Sequence, residues 1–204
     1  MYVRISPDMN MNKTSFLNII FTVLLFGLNI GDTRAQTTPK TSPDVPDNLQ
    51  VPQDQSLILK AVAKGSQIYI CKAKVDNSST FEWTLKGPEA VLLNEQGEIM
   101  GKHYAGPTWE SNDGSKVIGK VKAQANAPQP STIPWLLLQA ESHQGDGIFS
   151  EVNWIQRLNT VGGKAPTSGC DRAYKNREIS IGYQADYYFW GVPTKKDVPK
   201  PTTP

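Results

Sequence analysis

The sequence predicts a mostly β, antiparallel fold: a β-sandwich or open barrel, built as a single domain with little helix. Three observations predict it. Apolar residues recur with period two through much of the chain, turn residues fall at short intervals, and no stretch makes a long amphipathic helix. Short strands that follow one another without intervening helices pair antiparallel rather than as an alternating α/β sheet.

The elements can be taken in order. SLILKAVAKGSQIYICKA, residues 56–73, reads as two short strands on either side of Lys64 and Gly65. FEWTLK sets Phe81, Trp83 and Leu85 against Glu82, Thr84 and Lys86, the pattern of a half-buried strand. GPEAVLLN, residues 87–94, reads as a short helical turn. GKHYAGPTWESNDGS, residues 101–115, reads as a structured connection, with one turn at Gly106 and Pro107 and another at NDGS. A strand through His103 and Tyr104 sends those side chains to opposite faces. KVIGKVKAQA places Val117, Gly119, Val121, Ala123 and Ala125 on one face. WLLLQA, from Trp135, is apolar on both faces and reads as a centrally buried strand. DRAYKNRE, residues 171–178, is a second short helical turn. ISIGYQADYYFW then gives the longest alternation, with Ile179, Ile181, Tyr183, Ala185, Tyr187 and Phe189 in phase.

Composition sets the class. The chain has 204 residues, 38% hydrophobic and 20% charged, which suits one globular domain. A formal charge of +2, without a dense Lys/Arg cluster, leaves no electrostatic footprint for nucleic acid. Near the start, FLNIIFTVLLFGLNI follows Lys13 and is too short for a confident membrane span. It predicts a signal peptide over residues 1–35 with cleavage after Ala35, hence a secreted or periplasmic protein with no stable membrane span after cleavage. QTTPKTSPDVPD, residues 36–47, reads as a disordered linker, and the Pro/Thr-rich residues 191–204 as a disordered tail. The folded domain is then residues 48–190, long enough to bury a core without a structural metal.

Export changes how the cysteines are read. Cys71 and Cys170 are the only two, and an even count in an oxidising compartment favours a disulfide over free thiols. Closing so long a loop is worth about 4–5 kcal/mol in the chain-entropy model.

Chemistry-bearing residues concentrate in residues 101–115. His103, Tyr104, Trp109 and Glu110, with His143, are the candidate ligand-binding residues. Trp109 lies among polar neighbours, where a large ring needs a partner and can stack on a sugar. That predicts a non-catalytic domain that takes a glycan or other cell-envelope ligand, polysaccharide-like in character, without a cofactor or metal. The alternative is a metal- or carboxylate-dependent hydrolase centred on His103 and Glu110, although the two histidines match no compact ligand spacing and no G-x-S-x-G elbow is present.

Several stretches, GSQIYICKA, IPWLLLQA, GIFSEVNWIQRLNTVGGKAPTSGC and YQADYYFW together with residues 81–121, resemble the exported proteins of the family known as domain of unknown function 3455. The resemblance implies a small exported domain and brings no catalytic residues with it. Some fungal members are described as malate dehydrogenases. Here GDGIFS, residues 145–150, lacks the third glycine of a dinucleotide fingerprint and no strand–glycine–helix unit surrounds it, so the chain is not read as an NAD-dependent dehydrogenase.

Overall fold

The period-two segments become eight antiparallel strands. These are β1 (Ser56–Ala73), β2 (Phe81–Leu93), β3 (Ile99–Tyr104), β4 (Thr108–Ser111), β5 (Lys116–Ala125), β6 (Trp135–Gln144), β7 (Trp154–Gly162) and β8 (Glu178–Gly191). Each pairs with the next, and β8 returns to pair with β1, so the sheet closes into a barrel rather than stopping open or splitting into two layers. The computed structural model describes residues 43–192. The expected signal segment 1–35 with its cleavage site, and most of the expected linker and tail, lie outside these residues.

Alternation decides what fills the barrel. Leu136, Leu138, Ile155, Tyr187 and Phe189 belong to the inner cluster, together with Trp109, Val117 and Phe149. Their neighbours Leu137, Trp154 and Tyr188 belong to a second cluster on the outer face. Val45, Leu49 and Val51 cover that outer cluster, so the segment before β1 lies against the barrel wall. Gln156 ties it down: its Nε2 donates to the Leu49 carbonyl at 2.6 Å, and its Oε1 accepts from Trp190 Nε1 at 2.9 Å. Both faces of β6 are thereby buried at its apolar end, as WLLLQA predicts. The long alternation of β8 also holds, with Tyr183, Ala185, Tyr187 and Phe189 all buried.

Four local expectations change. Residues 56–73 form one strand, because Gly65 lets β2 cross where a Cβ would collide with the Glu89 carbonyl oxygen. GPEAVLLN, up to Leu93, is the second half of β2, its Ala90 and Leu92 facing the core in strand phase. On β5, a bulge between Val121 and Ala123 moves Ala123 and Ala125 to the outer cluster, so its apolar residues do not share one face. Leu85, placed by pattern on a buried face, is 52% exposed, for a reason that belongs to the site below. DRAYKNRE does hold a short 3-10 turn, Arg172–Tyr174, which Asp171 caps through its Oδ1.

Cys71 and Cys170 form a disulfide across a sequence separation of 99, which joins the end of β1 to the loop before β8. Trp83 Nε1 donates to the Ser168 carbonyl at 2.9 Å and holds the same loop from the β2 side.

Candidate ligand-binding site

Strand length creates an opening. β3 and β4 have 6 and 4 residues, whereas their neighbours β2 and β5 have 13 and 10. The β2–β3 ladder ends at Glu89–Tyr104, and the β4–β5 ladder ends at Thr108–Ile118. Beyond those pairs, residues 81–88 of β2 and 119–125 of β5 have no β3 or β4 strand between them. The wall therefore has a notch above the turn at residues 105–107. Leu85 and Val121, 52% and 47% exposed, flank it. Pro88 falls at the last position before β3 pairing begins, where a missing N–H removes no bond to β3.

Behind the notch is a cavity of about 240 Å³. Leu136, Leu138, Val121 and Pro107 supply apolar walls, and Gln67, His103, Trp109, Arg157 and Tyr187 supply polar groups. Deeper in the barrel the space is packed: Phe149 tilts against Phe189 at 4.8 Å between ring centroids, and Trp109 meets Phe189 edge-on. Gly119 helps seat Trp109, since a Cβ there would lie 3.0 Å from the indole ring. The cavity is thus confined to the notched end.

His103 and Trp109 face each other across the β3–β4 ladder and stack, with ring centroids 4.5 Å apart. The His103 ring has both nitrogens engaged. Nδ1 lies 2.8 Å from the Thr108 carbonyl, which can only accept, so Nδ1 carries the proton. Nε2 is then the acceptor for the Tyr187 hydroxyl at 3.1 Å. Burial lowers the His103 pKa from 6.5 to about 3; the Thr108 carbonyl opposes the shift, and the positive charge of Arg157 adds to it. The imidazole is neutral at ordinary pH. Burial likewise pushes the Tyr187 and Tyr183 hydroxyls above their usual range, so both stay protonated donors.

Three buried polar atoms in and beside this chamber have no partner: Gln67 Nε2, Trp109 Nε1 and the Tyr183 hydroxyl. Gln67 and Trp109, each 1% exposed, border the cavity itself. An unmet buried donor costs about 1–3 kcal/mol, so two on one cavity invite an acceptor.

The five residues singled out in the sequence do not converge. His103 and Trp109 meet inside the barrel. Tyr104 and Glu110 lie on the opposite face of the same hairpin, where the Tyr104 hydroxyl donates to Glu110 Oε2 at 2.8 Å and Lys102 and Lys116 approach the carboxylate at 3.3 and 3.2 Å. These bonds, led by that from Tyr104, hold Glu110 below the usual carboxylate range. His143 bonds through Nε2 to the Val152 carbonyl at 2.7 Å and does not border the cavity. Asp113, in the NDGS turn, accepts from Ser115 N and Oγ and from Ile148 N, which lowers its pKa to about 2 and locks the turn to the β6–β7 loop. Among the described residues no group of three or more His, Cys, Asp or Glu side chains is arranged to hold a metal ion.

Sequence reading passed over Gln67 and Arg157, though a signal existed. Gln67 is in strand phase with Ala61, Ala63 and Tyr69, and Arg157 with Ile155, so each is a polar residue on an otherwise apolar inner face. Comparison with curated proteins and with solved structures finds no match. The family described as Protein of unknown function (DUF3455) matches residues 52–191, the whole barrel from β1 to β8, and the chain belongs to that family.

Proposed function

We propose that this protein is an exported binding domain that takes a small, largely apolar ligand through the notch in its barrel wall. One observation carries the reading: an apolar chamber of about 240 Å³, open at the notch, has buried donors on its wall without acceptors. Concave, mostly apolar sites with a few fixed polar groups are the usual form of a small-molecule site. A polysaccharide would need an exposed aromatic platform, whereas Trp109 is buried against His103, so the support lies with a ring-sized ligand. The apolar segment at residues 16–30 and the disulfide support export.

Titration of isotope-labelled protein with toluene and benzyl alcohol tests the binding half. The Trp109 indole N–H and the Gln67 side-chain amide signals are expected to move together and to saturate. If neither moves at the solubility limit of both compounds, the chamber is not a ligand site. N-terminal sequencing of protein recovered from an expressing host tests export, with a start at Gln36 expected and an intact cytosolic N-terminus counting against it.

A further inference from the structure

Resting on that reading of the chamber, we propose that its ligand is a single-ring carboxylate, with the ring against the apolar wall and the carboxylate held by Arg157.

Arg157 stands inside the barrel. It is in phase with Ile155 and pairs in register with Leu136 on one side and Tyr187 on the other, both residues of the inner cluster. Its Nε and Nη2 both donate to one acceptor, the Pro134 carbonyl, at 3.2 and 2.9 Å. The fork is thereby fixed in place, with the Tyr187 hydroxyl close beside it. Among the described residues every ion pair is made by a lysine, and none involves Arg157. Its charge is nonetheless felt across the chamber, since it bears on the ionisation of His103, Tyr69, Tyr183 and Tyr187. Lys86, at the rim, is already engaged by Glu178 at 2.8 Å, and His103 is neutral. Arg157 is therefore the cation that a ligand entering the notch meets without a counter-charge.

The polar groups around it agree in sign. Gln67 Nε2 and Trp109 Nε1 are donors without acceptors. Unmet donors beside a guanidinium favour a group that accepts, and a carboxylate has about four lone-pair positions and matches a guanidinium in geometry. Size fixes the rest. A dry apolar cavity of about 150 Å³ holds benzene, so the 240 Å³ here has room for one ring and its acidic group. A free inorganic oxyanion fits the donors but leaves Leu136, Leu138 and Val121 facing water, which favours a ligand with an apolar body.

Calorimetric titration with benzoate, benzyl alcohol and inorganic phosphate tests this. Benzoate is expected to bind about tenfold or more tighter than benzyl alcohol, the scale of one charge-assisted contact, and Arg157→Gln should bring that ratio near one. Gln67→Leu, which keeps the guanidinium, should lower the benzoate ratio by a smaller factor and gives a second reading if the Arg157 variant fails to fold. Equal affinity for benzoate and benzyl alcohol overturns the carboxylate assignment and leaves the binding domain standing. Phosphate binding without benzoate binding overturns the ring. Failure of all three to bind removes both this inference and the function it rests on.

Discussion

The two faces of the β3–β4 hairpin carry alternate residues of one short stretch but live in different solvents. On the inner face, His103 and Trp109 are 2% and 1% exposed, stacked and dry. On the outer face, Tyr104 and Glu110 sit with Lys102 and Lys116 in a network open to water and salt. The outer residues make more charged contacts, yet the inner pair holds more of the stability. Dispersion and burial accumulate where water is excluded, whereas exposed ion pairs trade protein contacts for equally good hydration.

The largest effect expected from breaking this contrast is at Trp109. Trp109→Ala should lower the unfolding free energy by about 3–5 kcal/mol, the range for deleting a large aromatic from a packed core. Denaturant titration at neutral pH measures it, and a loss below about 1 kcal/mol would mean that the inner face is no better packed than the outer.

Acid comes next and works through His103. The unfolded imidazole binds a proton near pH 6.5 and the folded one near pH 3, so between those values the unfolded state holds more protons. Stability from the neutral ring is complete above about pH 6.5 and falls as pH drops toward 3, by about 1.4 kcal/mol for each pH unit below about 6. His103→Gln should flatten the slope between pH 6 and about 4, apart from its cost at neutral pH. Asp113 acts in a separate window: its lowered pKa contributes stability above about pH 4 that is lost as pH falls toward 2. A wild-type slope that survives in His103→Gln would place the protonated ring in the folded state and end the contrast.

The smallest effect belongs to Glu110. Glu110→Gln should shift the thermal midpoint by no more than about 2 °C, and the shift should shrink further in 1 M salt. A larger, salt-resistant shift would show that the outer network is shielded from solvent.

How far the sequence disclosed all this depends on whether a feature is local. The inner faces of β8 and β6 were legible because alternation is a property of consecutive residues, and so was the opposition of His103 to Tyr104. The notch was not. It arises because β3 and β4 stop short while β2 and β5 continue, and a relation between ladder lengths leaves no mark in any one strand's pattern. Leu85 shows the consequence: its phase marked it for the core, but it has β1 on one side and no strand on its β3 side to complete one. Gly65 misled for the opposite reason, since a residue that usually ends a strand here admits a neighbouring strand at close range. Arg157 was readable in principle, as a lone charge in phase with Ile155, but without the barrel it could not be told from a solvated face.

The seam that closes the barrel also governs how the chain reaches this shape. Ser56 pairs with Gly191 and Ile70 with Glu178, so the last ladder must join the two most distant strands of the fold. Such non-local pairing is slow, because chain entropy is lost before the contacts that reward it can form. The Cys71–Cys170 bond sits at one end of this seam, where Cys71 N donates to the Arg177 carbonyl at 2.9 Å. Once oxidised, the chain no longer has to find that register by diffusion, and the ladder can zip from the covalent end. The order in which thiol chemistry and strand pairing occur thus becomes part of the folding route, and the barrel is expected to close more slowly with the two thiols reduced.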